Sequence, residues 1–434
     1  MPNKIYKKTS WMHSTGIYEV NLRQYTAEGT FNTFANSLPR LKDMGVETLW
    51  FMPITPISQK NRKGSLGSYY ACSDYLNINT EFGTLNDFKK LVELAHSLGF
   101  KILIDWVANH TGWDHVWTTQ HPEYYLKDTI TNDFKTPGGM EDIIELDHKN
   151  PALKNAMIAA MKFWITECDI DGFRCDLAFW VDLQFWIEAR TILEKIKTLF
   201  WLGEFDPIEH QEYYECFDAA YTWTWMHKTE EFYKKTAGLG LLKNVLEQYE
   251  NACGKKNIPT WFTSNHDENS WNGTEYEKYG DMAKTLAVFS FTWNGLPLLY
   301  SGQELPNTKR LAFFDKDIIE WDKKNKLHNF YKTLFSIKKN NPALKAGDEN
   351  AITRLLKTDA DENMLSFIRK NGENEVLVFL NMSKSTTGFK LIDKEINGKY
   401  TSVFGKTDLT ISANQFFEMK PWDYLLFEKI NSQS

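Results

Sequence analysis

"TLNDFKKLVELAHSLGFKILIDWVAN", residues 84–109, holds the unit from which most of the chain is built. Its first sixteen residues read as an amphipathic helix, and the run from Phe100 onward reads as a short buried strand. The alternation recurs. Apolar runs lie at 16–22, 46–53, 100–109, 171–177, 198–205, 218–223, 258–265 and 296–302, separated by helix-like stretches such as "NPALKNAMIAAMKFWITEC" (150–168). Eight strand-plus-helix units in about 340 residues predict a (β/α)8 TIM barrel. An open doubly wound sheet is the rival, but no G-x-G-x-x-G opens a helix to support a dinucleotide fold.

Two segments break the pattern. Residues 111–146 are aromatic and polar without clear periodicity, and a loop of that length is more often functional than accidental. They read as a short excursion over the barrel mouth. From residue 347 the texture changes to short alternating runs ("MLSFIRK", "EVLVFLNMS", "TGFKLI", "DYLLFEKI"), the pattern of a C-terminal antiparallel β-sandwich. The expected division is therefore 1–110 with 147–346 as barrel, 111–146 as excursion and 347–434 as sandwich.

The bulk composition narrows the function classes. A formal net charge of −7 and the lack of a lysine/arginine block argue against a nucleic-acid or anionic-membrane partner. Five widely spaced cysteines (Cys72, Cys168, Cys175, Cys216, Cys253) without C-x-x-C indicate neither a disulfide framework nor a zinc site. No apolar leader or 18-residue apolar run occurs, so the chain as written reads as cytoplasmic; removal of an export signal would leave the same sequence. The 16 Trp and 19 Tyr suit a ligand with flat faces such as a sugar, although large cores also consume aromatics. Oligomeric state is left open.

In a barrel of this type, side chains at the C-terminal ends of the strands converge on one face. The third run ends in Asp105, Asn109 and His110, the fourth in Arg174 and Asp176, the fifth in Glu204, and the seventh in His266 and Asp267. Singly, each is more readily a cap or a structural ion pair than a catalytic group. Together, carboxylates with a buried arginine and no metal cluster or nucleophilic serine fit glycoside cleavage, which needs no cofactor for its chemistry. One carboxyl donates a proton to the leaving oxygen while another, ionised, faces the anomeric carbon. Strand alternation puts Arg174 and Asp176 on one side, where the guanidinium is expected to lower the Asp176 pKa. Glu204, in the apolar "FWLGEFDP", is expected to have a raised pKa and to act as general acid.

"DWVANH" (105–110), "GFRCDLA" (172–178), "WLGEF" (201–205) and "FTSNHD" (262–267) stand in the order and spacing of the four signature regions of the α-amylase family, glycoside hydrolase family 13. "GIYEVNLRQYT", "GSYYACSDYLNINTEFGTLNDF" and "GLPLLYSGQE" match too, and the resemblance spans about residues 12–310. The chain resembles bacterial α-amylases with a short excursion after the third strand. The resemblance implies a retaining double displacement with Asp176 as nucleophile, Glu204 as acid/base and Asp267 gripping ring hydroxyls in the −1 subsite. It implies that His110 and His266 bond the same sugar, that Arg174 supports Asp176, and that Tyr70 stacks on the −1 ring. Asp105 matches a barrel aspartate whose role is as readily structural as direct. The family's structural Ca2+ implies Asn109, Asp142 and Asp147 as candidate ligands, although calcium takes roughly six to eight oxygens and no full set can be assembled from this excursion.

One departure bears on specificity. Where many α-amylases carry a lysine and a histidine after the nucleophile, this chain has Phe179 and Trp180. Phe179 is as readily a core residue; Trp180 is the better candidate for an apolar wall at the +1 sugar. Trp223 and Trp225 ("YTWTW") are expected to share one face of a strand, where one of them could stack on sugar. The expected activity is hydrolysis of α-1,4-glucosidic bonds in starch, glycogen or maltooligosaccharides. A 4-α-glucanotransferase or an exo-acting α-glucosidase would use the same carboxylates, while a non-catalytic sugar-binding relative would be expected to have lost one.

Overall fold

All eight apolar runs become strands of one parallel sheet, which closes on itself. In the computed structural model, which describes residues 6–234, 238–321 and 326–430, these are β1 (Ile17–Val20), β2 (Thr48–Phe51), β3 (Lys101–Trp106), β4 (Gly172–Cys175), β5 (Phe200–Gly203), β6 (Ala219–Tyr221), β7 (Ile258–Trp261) and β8 (Leu296–Tyr300). Each strand pairs with its sequence neighbours, and Ile17 opposite Leu298 closes the ring. The strands are short and buried on both faces, as a sheet packed inside and out requires. Trp50, Leu103, Phe200, Leu202, Ile258 and Leu296 fill the barrel interior, while a larger apolar layer lies between the strands and the surrounding helices.

The helix that opened the sequence reading spans Leu85–Ser97. Its start is set by Thr84, whose hydroxyl accepts from the Asp87 N–H while the Asp87 carboxylate accepts from the Thr84 N–H. Phe88, Leu91, Val92 and Ala95 form its buried stripe. "NPALKNAMIAAMKFWITEC" forms Pro151–Cys168, capped by Asn150 and opened by proline at the first helical position.

The sixth run corrects one expectation. The strand stops at Tyr221 and a helix begins at Trp223 (Trp223–Tyr233), so Trp223 and Trp225 do not share a strand face. The cause lies one loop away: the Asp206 carboxylate accepts from the Thr224 N–H at 2.7 Å, stabilising a helix start where period-two alternation suggested more strand. Trp225 is buried against Phe289, and Trp223 is half-buried beside Phe262.

The excursion leaves β3 through a short antiparallel pair, His110–Gly112 with Ile143–Glu145. It lies tightly on the loop after β2, where Ser58 leaves no room for a side chain at Gly112: a Cβ there would stand 2.2 Å from the Ser58 Cβ. Toward the C-terminus, Ala346 still packs into the barrel floor. A six-stranded antiparallel sheet then begins at Ile352, with a two-stranded layer (Thr387–Lys390 with Phe416–Met419) packed over it through Phe379, Phe389 and Phe417. Among the described residues, no helix is long and apolar enough to cross a membrane.

Candidate active site

Arg174 organises the C-terminal rim. It is fully buried, with its guanidinium over the rings of Trp50 and Tyr221 at 4.9 and 5.4 Å. From β4 it reaches carboxylates delivered by three strands. Its Nη1 donates to Asp105 at 3.0 Å and to Asp176 at 2.8 Å, and its Nη2 lies 2.9 Å from Glu204 Oε2. One buried cation facing several carboxylates leaves the cluster net negative, which is tolerable only where some of the carboxyls hold protons.

The hydrogen bonds leave specific oxygens for chemistry. Arg174 takes Asp176 Oδ1, so Oδ2 is the atom left toward the cavity. Glu204 Oε2 accepts from the Leu177 N–H at 2.8 Å, leaving Oε1. Leu177 sits in the left-handed region (φ 40°, ψ 47°), a conformation costly for a branched side chain, and it is this turn that aims its N–H at Glu204. Burial raises the Glu204 pKa above the usual carboxyl range, Arg174 opposes the rise and the neighbouring Asp176 charge adds to it, in agreement with the sequence reading. For Asp176 the guanidinium does lower the pKa as expected, but the net shift is upward. Burial raises its pKa, the Arg174 charge and hydrogen bond only partly offset that, and Asp267 adds to it. Desolvation outweighs a single cation that is shared among several acids.

The two histidines have opposite states. Burial lowers the His110 pKa to about 4, so its ring is neutral at pH 7, and its Nε2 is buried without a protein partner while the residue lines the cavity. For His266 burial acts downward too, but the Asp267 and Glu19 carboxylates raise its pKa to about 9. Its Nδ1 faces Glu19 at 2.5 Å, and its Nε2 lies 2.6 Å from the Tyr70 hydroxyl and 3.3 Å from Asp267. Glu19 went unnoticed in the sequence reading. A carboxylate inside the apolar run "GIYEVNL" is the same signal that drew attention to Asp105.

Tyr70, His110, Asp176, Glu204, Asp267 and Trp180 line one cavity of about 580 Å³. Asp105, Arg174 and His266 do not line it; they lie behind its wall and position the groups that do. Asp105 accepts from Arg174, from the Trp50 indole N–H and from the Tyr70 hydroxyl, a structural set of partners. The sequence reading missed further lining residues: Lys63, Met140 and Leu177, together with Trp271, Phe313 and Phe314.

The candidate calcium ligands each have a protein partner. Asp142 is paired with the Lys63 ammonium at 3.1 Å, Asp147 Oδ1 accepts from the Lys149 N–H, and the Asn109 amide faces His110. Among the described residues no cluster of His, Cys, Asp or Glu side chains gathers to hold a metal ion. A cation of the protein's own already stands at Asp142.

Two buried carboxyls bridged by one arginine, both opening into an aromatic cleft on a barrel rim, are the equipment of a glycoside hydrolase. Comparison with known proteins makes the class specific: the chain belongs to the α-amylase family, whose catalytic-domain model matches residues 9–138 and 128–318. It is 27% identical to alpha-amylase 2 of Dictyoglomus thermophilum over 421 residues, covering 89% of this chain and 69% of that relative. The structure superposes on the maltogenic α-amylase AmyB from Thermotoga neapolitana with a TM-score of 0.88 at 28% identity, covering 97% of this chain and 99% of that one. An α-amylase from Lactobacillus plantarum gives 0.86 at 27% identity, with 96% and 99% covered.

Proposed function

We propose that this enzyme hydrolyses α-1,4-glucosidic bonds of starch, glycogen or maltooligosaccharides with retention of configuration. The observation that carries the reading is the Arg174 bridge. One guanidinium holds Asp176 and Glu204 so that each keeps one oxygen for the same cavity. Asp176 Oδ2 attacks the anomeric carbon as Glu204 Oε1 gives its proton to the leaving oxygen; Glu204 then takes a proton from the water that releases the glycosyl unit. Neutral His110 offers Nε2 to a sugar hydroxyl, and Asp267, half-exposed in the same cavity, reaches the hydroxyls of the same ring. Release of reducing ends from soluble starch and maltoheptaose, with the first-formed anomer read by NMR, tests this. No release overturns the hydrolase reading, and a β-anomer overturns retention.

A transferase reading has one observation in its favour. Trp180, 42% exposed, and Leu177 give the cavity an apolar wall beside Glu204, where an acceptor sugar could displace water. Accumulation of chains longer than seven units from maltoheptaose would mark that activity. If Trp180 stacks on the +1 sugar, Trp180→Ala raises KM for maltotriose more than for maltoheptaose, because longer chains keep contacts elsewhere. Equal effects would make Trp180 a plain surface residue.

The fold is also proposed to need no calcium, with Lys63 holding the excursion through Asp142. Treatment with EDTA should leave the melting temperature unchanged, whereas Lys63→Ala should lower it by roughly 1–2 °C, the shift expected from about 1 kcal/mol in a chain of this size. A fall of several degrees on chelation, restored by calcium, would overturn this.

A further inference from the structure

Trp271 is half-exposed although the loops under it are tied together by hydrogen bonds. It belongs to a single π-helical turn, Glu268–Asn272, that directly follows Asp267. Its ring lies 5.3 Å from Phe313 and 5.6 Å from Phe314, and Phe313 is nearly parallel to Tyr70 at 6.3 Å. These rings make an aromatic ledge running from the carboxylates to the rim of the same cavity.

The ledge is braced from below. Asn269 Oδ1 accepts from the Leu311 N–H, the Asn269 amide donates to Lys309 O, and the Ser270 hydroxyl donates to Leu311 O. Gln24 donates to Ala312 O, and the Leu66 N–H donates to Phe314 O. Two loops, from β7 and β8, are thus laced into one surface before any ligand arrives. Trp271 is 52% exposed on it, presenting a flat apolar face to water at a place the fold does not need one. A pyranose ring, with C–H groups on its faces and hydroxyls on its edge, matches such a surface. Polar partners stand alongside: a Cβ at Gly64 would lie 2.5 Å from the Phe314 Cβ, so Lys63 is next to the ledge.

The position of the ledge says which sugar it would take. The leaving group departs beside Glu204, where Leu177 and Trp180 follow β4. Trp271 follows β7, three strands further round the ring, and Phe313 follows β8. We propose that Trp271 and Phe313 form a stacking subsite for a glucosyl unit on the non-reducing side of the cleaved bond, beyond the unit held at Asp176. The inference rests on the α-glucan reading and deepens it: the enzyme reads chain length on its donor side.

The test compares p-nitrophenyl α-glucoside, which fills only the sugar position at Asp176, with p-nitrophenyl α-maltotrioside, which extends past it. Trp271→Ala should lower kcat/KM for the maltotrioside at least tenfold and for the glucoside less than threefold, and Trp271→Phe should restore most of the loss. Where glucoside turnover is too slow to measure, maltoheptaose binding to Asp176→Asn protein, with and without Trp271→Ala, should weaken at least tenfold by calorimetry. Equal losses on both aryl substrates, or unchanged maltotrioside turnover and maltoheptaose binding, would overturn the subsite. A wild-type protein inert on both aryl substrates and on starch would overturn the hydrolase reading beneath it.

Discussion

Asp176→Asn should lower kcat/KM on starch and maltoheptaose at least about a thousandfold while leaving the fold intact, because the amide cannot form the glycosyl ester. The stability expectation follows from the surroundings. Asn keeps the size of the side chain, and Arg174 retains Asp105 and Glu204 as partners. Removing one charge from a net-negative, buried cluster also relieves repulsion from Asp267, which raises the Asp176 pKa in the native enzyme. The variant should therefore melt at or above the wild-type temperature, as expected where function holds a group in an unfavourable state. Activity near wild type would remove Asp176 from the mechanism. A collapsed far-UV spectrum would make it structural instead.

Glu204→Gln should have a comparable effect on natural substrates and a much smaller one on substrates whose leaving group needs no proton. The expected fall is at least about a hundredfold on maltoheptaose, the range for loss of a positioned general acid. On α-maltosyl fluoride the glycosylation step should be nearly unaffected. Added azide should restore turnover by replacing the water that Glu204 would deprotonate. The pH profile gives an independent check. Asp176 must be ionised, so activity falls as pH drops through its pKa, which burial places above the ordinary 3.8. Glu204 must be protonated, so activity falls as pH rises through its pKa, which burial places above the ordinary 4.5. Arg174 donates a hydrogen bond to Asp176, which favours its ionised form, and the Asp176 charge in turn raises the Glu204 pKa and helps it hold its proton. In Glu204→Gln the alkaline limb of kcat/KM should vanish while the acid limb stays. Retention of both limbs would assign the alkaline one to another group, with His266, raised to about 9, as the first candidate.

Much of this molecule was readable from local pattern. The eight strands and the helices between them follow from apolar runs and amphipathic stretches, and a residue at the end of a barrel strand has little choice about which rim it occupies. That is why Asp176, Glu204 and Asp267 could be placed together before any coordinates, and why Arg174 and Asp176 could be put on one face. Where a loop overrides periodicity, pattern fails. Tyr221, Trp223 and Trp225 alternate like a strand, yet the Asp206 carboxylate arriving from after β5 starts a helix among them.

The amino-acid order by itself determined the barrel, the set of carboxylates and the arginine among them, because these depend on spacing along single strands. Only the tertiary structure decided their ionisation, since the sign of the Asp176 shift turns on how deeply the whole rim is buried. It also decided the pairing of Lys63 with Asp142, of His266 with Glu19, and of Trp271 with Phe313. Those partners come from different loops, and loop paths are set by individual hydrogen bonds that leave no periodic mark on the chain.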